Sequence, residues 1–252
     1  MGYGGTHMDF DNRTVIVTGG TGALGRAVVG ALIAAGAHCR VPYIADAEAA
    51  TFPHNDNVTL VPGCDLAEEA GVARLYDGVA DLWASIHIAG GFAMGAVADT
   101  DKSALLHMLN TNFVSCYLCC RAALRGFDAA SARAGERPAG HPGGPPGGRI
   151  VNVTARPGVE PRLGAGMAAY AASKAAVAAF TQALAAEVAG RGVLVNAVAP
   201  SIIDTPANRA AMPAADHAAW PKPEEIAATI AFLASPANLV TTGAVVPVAG
   251  RT

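Results

Sequence analysis

Short runs of β-branched residues alternate with longer alanine-rich segments along nearly the whole chain. The first run, "TVIVTGG" (14–20), is continuously apolar until it ends in glycines, which predicts a buried strand. "ALGRAVVGALIAAGA" (23–37) follows it with helical character and is closed by Gly36. The same alternation then recurs. Strands are predicted at "HCRVPY" (38–43), "VTLVPGCDL" (58–66), "LWASIHIAGG" (82–91), "RIVNVTA" (149–155), "GVLVNAVAP" (192–200) and "GAVVPVAG" (243–250). Helices are predicted from Ala67 to Gly78, over 102–127, from the "YAASK" segment to Gly190, and over 222–235.

Strands that are apolar on both sides, separated by helices, belong to a parallel sheet covered on both faces. The pattern therefore predicts an α/β, doubly wound parallel sheet of about seven strands with helices on both faces, in a single domain over residues 13–252. Residues 1–12 are expected to be a tail outside it, in part left over from expression. "DAASARAGERPAGHPGGPPGG" (128–148) has little to bury and is expected to be a surface excursion between a helix and a strand.

Composition narrows the function classes. The net charge is −3, and lysine and arginine are scattered, so there is no footprint for nucleic acid. No apolar run approaches the ~20 residues of a membrane span, and the polar, glycine-rich start carries no apolar core of a secretory signal. A cytoplasmic protein acting on a small molecule is expected. The five cysteines (Cys39, Cys64, Cys116, Cys119, Cys120) are odd in number and irregular in spacing, which argues against a disulfide framework. Cys116 and Cys119 form C-x-x-C inside an apolar helical segment and read as buried structural thiols. The histidines show no paired ligand spacing, so no metal is expected.

The first strand ends in "TGGTGALG", where Gly20, Gly22 and Gly25 give G-x-G-x-x-G between a strand and a helix. Glycines there let the backbone approach a pyrophosphate, whose charge rests on the helix N-terminus. Gly19, Thr21, Gly22, Ala23, Leu24 and Gly25 are the candidate phosphate-binding residues, and the sheet becomes Rossmann-type. An acidic residue ending the second strand would bind a ribose 2′-hydroxyl and select NAD. Here Tyr43 stands near that point, Asp46 follows later, and Arg40 is available for a 2′-phosphate if its side chain points that way. NAD(P) binding is expected, leaning to NADP(H).

"GMAAYAASK" places Tyr170 and Lys174 one turn apart on a helix. An ammonium near a phenol favours the phenolate and lowers its pKa, and a phenol so tuned exchanges a proton with a carbonyl oxygen as hydride moves.

With these residues the chain resembles the short-chain dehydrogenase/reductase family from about Arg13 to Gly250, a span whose Tyr-x-x-x-Lys is "YAASK". The resemblance implies that Asp65 and Leu66 lie by the adenine, and that Asn112 in "MLNTNF" belongs to a proton relay through the lysine. It implies cofactor contacts at Ala89, Gly90, Lys174, Pro200, Ile203 and Thr205, the last at the nicotinamide carboxamide. Homodimers or homotetramers are usual in the family, and the apolar last strand suits such an interface.

The departures are specific. The glycine spacing is T-G-x-x-G-x-x-G instead of T-G-x-x-x-G-x-G, and His87 replaces the first asparagine of the motif after the fourth strand. Ala155 stands where the family has a substrate-binding serine. Its neighbour Thr154 points to the other face unless a bulge brings it in, and otherwise the tyrosine alone holds the substrate oxygen. The segment "DTPANRAAMPAADHAAW" (204–220) is similar to dihydropteridine reductase, a subgroup that also lacks the serine and reduces a quinonoid pterin. The loop from Ser201 to Trp220, with Ile202, Ile203, Met212 and Trp220, is expected to cover a partly apolar pocket.

The sequence thus reads as an NAD(P)-dependent oxidoreductase acting on a carbonyl, alcohol or imine-like carbon. The sequence leaves two other classes open: a catalytically silent dinucleotide-binding regulator, and a lyase or isomerase in the same cleft.

Overall fold

A computed structural model describes residues 8–133 and 147–252. Most of the glycine- and proline-rich excursion and residues 1–7 lie outside the described residues. The expected tail boundary is corrected: Phe10 is fully buried in the core and its N–H donates to the Ala35 carbonyl at 2.8 Å, so the domain begins before residue 13. Seven strands form one sheet: β1 (Thr14–Thr18), β2 (His38–Pro42), β3 (Val58–Val61), β4 (Leu82–His87), β5 (Arg149–Val153), β6 (Leu194–Pro200) and β7 (Val245–Val248). All neighbours are parallel, in the order β3-β2-β1-β4-β5-β6-β7. The winding reverses between β1 and β4, and such reversals open a crevice at the C-terminal ends of the strands.

The helices are α1 (Ala23–Ala34), α2 (Asp46–Ala50), α3 (Glu69–Tyr76), α4 (Lys102–Leu109), α5 (Ser115–Arg133), α6 (Arg156–Val159), α7 (Ala168–Glu187), α8 (Pro206–Ala211) and α9 (Pro223–Ala234). Alternation along the strands divides the core in two. Val15 and Val17 of β1 join Val28 and Leu32 of α1 and Ile226 and Ile230 of α9 on one face. Ile16, between them in sequence, joins Leu75 of α3, Cys120 of α5 and Val177 of α7 on the other. Both sides of the central strands are buried, which is why their sequences are largely apolar on both faces, with buried Ser85, His87, Asn152 and Asn196 among the polar exceptions.

The helix predicted over 102–127 is instead two helices with a π turn between them, Asn110–Val114. Asp101 starts the first by accepting from the Ala104 N–H at 2.8 Å. At the turn, Ser115 Oγ donates to the Thr111 carbonyl at 2.7 Å, and Asn112 is drawn inward to the chain leaving β4. Single π turns frequently mark functional positions in helices.

Candidate active site

The glycine loop is held by close backbone contacts. Gly19 has φ +68°, and a Cβ there would lie 2.6 Å from the Ala89 nitrogen. A Cβ on Gly25 would lie 2.0 Å from the Gly19 carbonyl, so the first turn of α1 sits directly on the loop. Thr18 Oγ1 accepts from the Ala89 N–H at 3.3 Å and ties β1 to the segment after β4. Gly22 caps α1 with no side-chain hydrogen bond, and the first turn holds no acidic residue. That end of the helix keeps free N–H donors and an uncompensated positive dipole, which fits a pyrophosphate.

Arg26 fastens the loop to α2. Its Nε donates to the Thr21 carbonyl at 2.8 Å, Nη1 to the Thr51 carbonyl at 2.7 Å and Nη2 to Thr51 Oγ1 at 2.8 Å. Thr21 Oγ1 donates to Glu48 at 3.0 Å, placing a carboxylate at the loop that sequence spacing did not single out. Tyr43 lies just beyond β2, its backbone bonded to Val61 and Cys64. Asp65 follows β3, accepting from the Ala67 N–H at 2.9 Å, with Leu66 buried next to it. Arg40 directs its guanidinium towards α3, where Nη2 donates to the Arg74 carbonyl at 3.3 Å and Nε is buried.

Asn112, Lys174 and Gly90 meet at the mouth of the crevice. A Cβ on Gly90 would lie 2.5 Å from Asn112 Oδ1 and 3.2 Å from Lys174 Nζ. Asn112 clamps the next residue, accepting from the Gly91 N–H at 2.9 Å and donating to its carbonyl at 3.1 Å. Asn112 Nδ2 also donates to Ser173 Oγ at 3.0 Å, and Ser173 Oγ donates to the Tyr170 carbonyl at 2.7 Å. Buried Lys174 donates to the Val153 carbonyl at 2.9 Å. Tyr170 is half-buried, one turn earlier on α7, with its ring edge-on to Phe92 at 5.0 Å.

The electrostatics of the pair differ from the expectation. Burial pushes the Tyr170 phenol up to about 12 instead of lowering it. Burial also pulls the Lys174 ammonium down to about 8, with Cys116 opposing the shift. The reason is geometric: Lys174 directs its hydrogen bond to the Val153 carbonyl instead of the phenol. At neutral pH the pair is a protonated phenol near a cation, poised to donate a proton.

Thr154 is corrected as a stand-in for the serine. Its N–H continues the pairing of β5 with β6, bonding the Val198 carbonyl at 3.0 Å, so no bulge turns it. Its hydroxyl donates to the Lys174 carbonyl at 2.6 Å, leaving no proton for a substrate oxygen. Ala155 supplies only a methyl group. His87 is buried away from the crevice among Ser85, Asn152 and Cys120, consistent with a structural part.

Pro200 ends β6, and Thr205 accepts from the Asn208 N–H at 3.2 Å to cap α8, with Pro206 at the first helical position. Asn208 Nδ2 holds the Ile203 carbonyl at 2.8 Å. Arg209 pairs with Asp204, and Trp220 is buried against His217, so it packs within this segment. Phe92 (61% exposed) and Met94 (67% exposed) were missed by the sequence reading, although large apolar residues in the glycine-rich "GGFAMG" are a usable signal. Gly95 is bridged to Met167, which brings that segment against the start of α7.

The fold and the site define an NAD(P)-dependent oxidoreductase, and the chain belongs to the short-chain dehydrogenase/reductase family, whose profile for short chain dehydrogenases matches residues 13–216. Galactitol 2-dehydrogenase of Rhizobium johnstonii is 34% identical over 94% of this chain and 94% of its own. The 3-oxoacyl-acyl-carrier-protein reductase of Pseudomonas aeruginosa is 38% identical over 57% of this chain, a match spanning 54% of that protein. A solved short chain dehydrogenase/reductase family protein superposes with a TM-score of 0.80 at 30% identity, covering 96% of this chain and 97% of the other. Among the described residues no helix is long and apolar enough to cross a membrane.

Proposed function

We propose that this protein transfers hydride between a nicotinamide and a carbonyl, alcohol or imine-like carbon, a pterin-like conjugated ring included, with Tyr170 exchanging the proton. The observation that carries this reading is the convergence of Lys174 Nζ and Asn112 Oδ1 on Gly90, one helix turn from Tyr170, at the reversal point of the sheet. Tyr170 gives its phenolic proton to the substrate oxygen or nitrogen during reduction and takes it back during oxidation. Lys174 supplies positive charge beside the developing phenolate and holds the cofactor ribose, and Asn112 fixes the segment both approach.

The nicotinamide dinucleotide supplies or accepts the hydride. Gly19, Thr21, Gly22, Ala23, Leu24 and Gly25 hold its phosphates; Tyr43, Asp65 and Leu66 flank the adenosine; Ala89, Gly90, Pro200, Ile203 and Thr205 flank the nicotinamide end. Ala155 offers no second donor to a substrate oxygen, and Phe92 and Met94 offer apolar surface, which together favour a flat conjugated substrate over a simple ketone.

Charge at Thr21 bears on cofactor choice. Glu48 suits a ribose hydroxyl and repels a 2′-phosphate, while Arg26 is already committed through all three of its guanidinium nitrogens. This supports NAD(H), against the lean to NADP(H) drawn from sequence. Leu239 (74% exposed) and Val240 (84% exposed), in the segment leading to β7, support a homodimer or homotetramer.

A paired titration with NADH and NADPH, followed by a screen of ketones and quinonoid pterins in wild type and Tyr170→Phe, tests the reading. Micromolar binding with turnover lost in the variant is expected. Absence of binding to either dinucleotide overturns it. Binding with turnover unaffected by the substitution removes Tyr170 from the chemistry.

A further inference from the structure

Behind the catalytic residues, between the sheet and α5, lies a sealed group of soft and borderline donors. His87 ends β4, and Cys116 and Cys120 sit one turn apart on α5. All three are buried, and one ligand atom from each lies within 4.8 Å of the other two. Cys120 Sγ is 3.4 Å from His87 Nδ1. Asn152 Oδ1 of β5 adds a fourth donor, 2.7 Å from His87 Nδ1 and 3.5 Å from Cys120 Sγ. For Zn–N near 2.0 Å and Zn–S near 2.3 Å, tetrahedral angles put the N and S ligands about 3.5 Å apart, close to the spacing of His87 and Cys120, while the Asn152 oxygen has to draw back from His87 Nδ1 as an ion replaces the hydrogen bond between them.

We propose that His87, Cys116 and Cys120 form a structural site for a closed-shell divalent cation of the zinc class, completed by the Asn152 amide oxygen. Charge selects the divalent ion. Two thiolates, a neutral imidazole and an amide give a site of net charge zero around M²⁺, whereas a monovalent ion leaves a buried negative charge.

The surrounding hydrogen bonds permit the change of state. Thr181 Oγ1 donates to the Val177 carbonyl at 2.8 Å and so accepts from Asn152 Nδ2 at 2.9 Å, which turns Asn152 Oδ1 towards His87. In the metal-free protein the imidazole therefore carries its proton on Nδ1, and Nε2 accepts from Ser85 Oγ at 2.8 Å. Binding at Nδ1 moves that proton to Nε2, which then donates to Ser85. Ser85 turns to Tyr76, whose hydroxyl is 2.6 Å away, and Tyr76 turns out of the chain. The imidazole keeps one proton and each thiol loses one, so two protons are released per ion. Ser85 becomes the outer partner that fixes the ring, as metal-bound histidines require.

The site is closed in the folded chain, so it is tested with full-length protein made in cells grown with added zinc or cobalt. About one metal per chain by elemental analysis is expected, with thiolate-to-cobalt charge transfer and tetrahedral d–d absorption in the cobalt form. His87→Asn, which restores the residue common in the family, and Cys120→Ala are each expected to remove the ion. Cys39→Ser, in the opposite core, keeps it, and Ser85→Ala weakens it about 10–100-fold. Stoichiometry near zero in the wild type overturns the proposal, as does metal retained in His87→Asn. Should the substituted chains fail to fold, a chelator acts as the second arm on the wild-type holoprotein under mild denaturant: a lowered melting temperature with release of one ion supports the site, and no change overturns it.

Discussion

The proposed catalytic pair and the thiol–imidazole cluster are built alike but end differently. Each takes two side chains one turn apart, Tyr170 and Lys174 from α7 or Cys116 and Cys120 from α5, and sets them against the end of a strand on the same face of the sheet. In the cluster, hydrogen bonding runs without a break from Tyr76 through Ser85, His87, Asn152 and Thr181 to the Val177 carbonyl. In the pair, Lys174 is anchored on Val153 while Tyr170 stands half-buried with its ring edge-on to Phe92 and, among the described residues, no hydrogen bond at its hydroxyl. A network that satisfies all its members fixes structure, and a group with a proton still to give does chemistry. The same helix-against-strand geometry serves both ends.

The largest effect that can break this contrast is at Tyr170. Tyr170→Phe removes the proton donor and leaves the packing, so turnover is expected to fall by about 10³-fold, near 4 kcal/mol, with unchanged dinucleotide affinity. Steady-state rates alongside fluorescence titration check both halves. In the sealed cluster the reverse is expected. Asn152→Ala strands His87 Nδ1 and Thr181, costing about 3 kcal/mol of stability by denaturant unfolding, while the rate per folded molecule holds within about twofold of wild type. A large fall in that rate would join the two constellations into one.

Lys174 tests the contrast from the other direction. Its pKa is depressed to about 8 from 10.5, so below pH 8 the native state bears the cost of a buried charge that the unfolded chain avoids. Lys174→Met is therefore expected to be more stable than wild type at pH 7, by roughly 2 kcal/mol, and nearly inactive. Between pH 8 and 10.5 the wild-type lysine becomes neutral in the native state first, so the stability gap narrows as pH rises. Reductive turnover falls over the same rise through about 8 as the positive charge beside Tyr170 is lost. Thermal melts and rate profiles across this range report the two trends separately.

Legibility in the sequence follows the range of the interactions. The strands are visible because those inside the sheet are buried on both faces and the edge strands β3 and β7 keep β-branched runs, and the Tyr170–Lys174 pair because a helix converts a spacing of four into a shared surface. Asn112 was reached only through family resemblance, since a π turn and a clamp on Gly91 leave no periodic trace. The environment of Lys174 was misread for a related reason: its partner is a backbone carbonyl on β5, which no side-chain pattern announces. His87 joins Cys116 and Cys120 only where α5 packs on the end of β4, so neither spacing nor motif could place them together.

Ala155 offers a gain-of-function test of intermediate size. Ala155→Ser returns a hydroxyl to the end of β5 and is expected to raise turnover of simple ketones about tenfold, less than the 10²–10³ of a fully preorganised donor. Conjugated imines, which need no second oxygen donor, are expected to gain little. Equal gains on both substrate classes would remove the geometric basis for preferring a flat conjugated substrate.

The smallest expected effect lies at the exposed edge of the glycine loop. Glu48 reaches Thr21 Oγ1 through solvent-exposed atoms, so screening limits its influence on a 2′-phosphate. Glu48→Gln removes the charge and keeps an acceptor for Thr21, and NADPH affinity is expected to rise about fivefold with NADH affinity nearly unchanged. The gain should shrink as salt is added, because it arises from relieved repulsion and not from a new contact. An NADPH affinity that stays fixed in the variant would mean the 2′-position lies beyond the reach of Glu48, and the lean to NADP(H) would stand again.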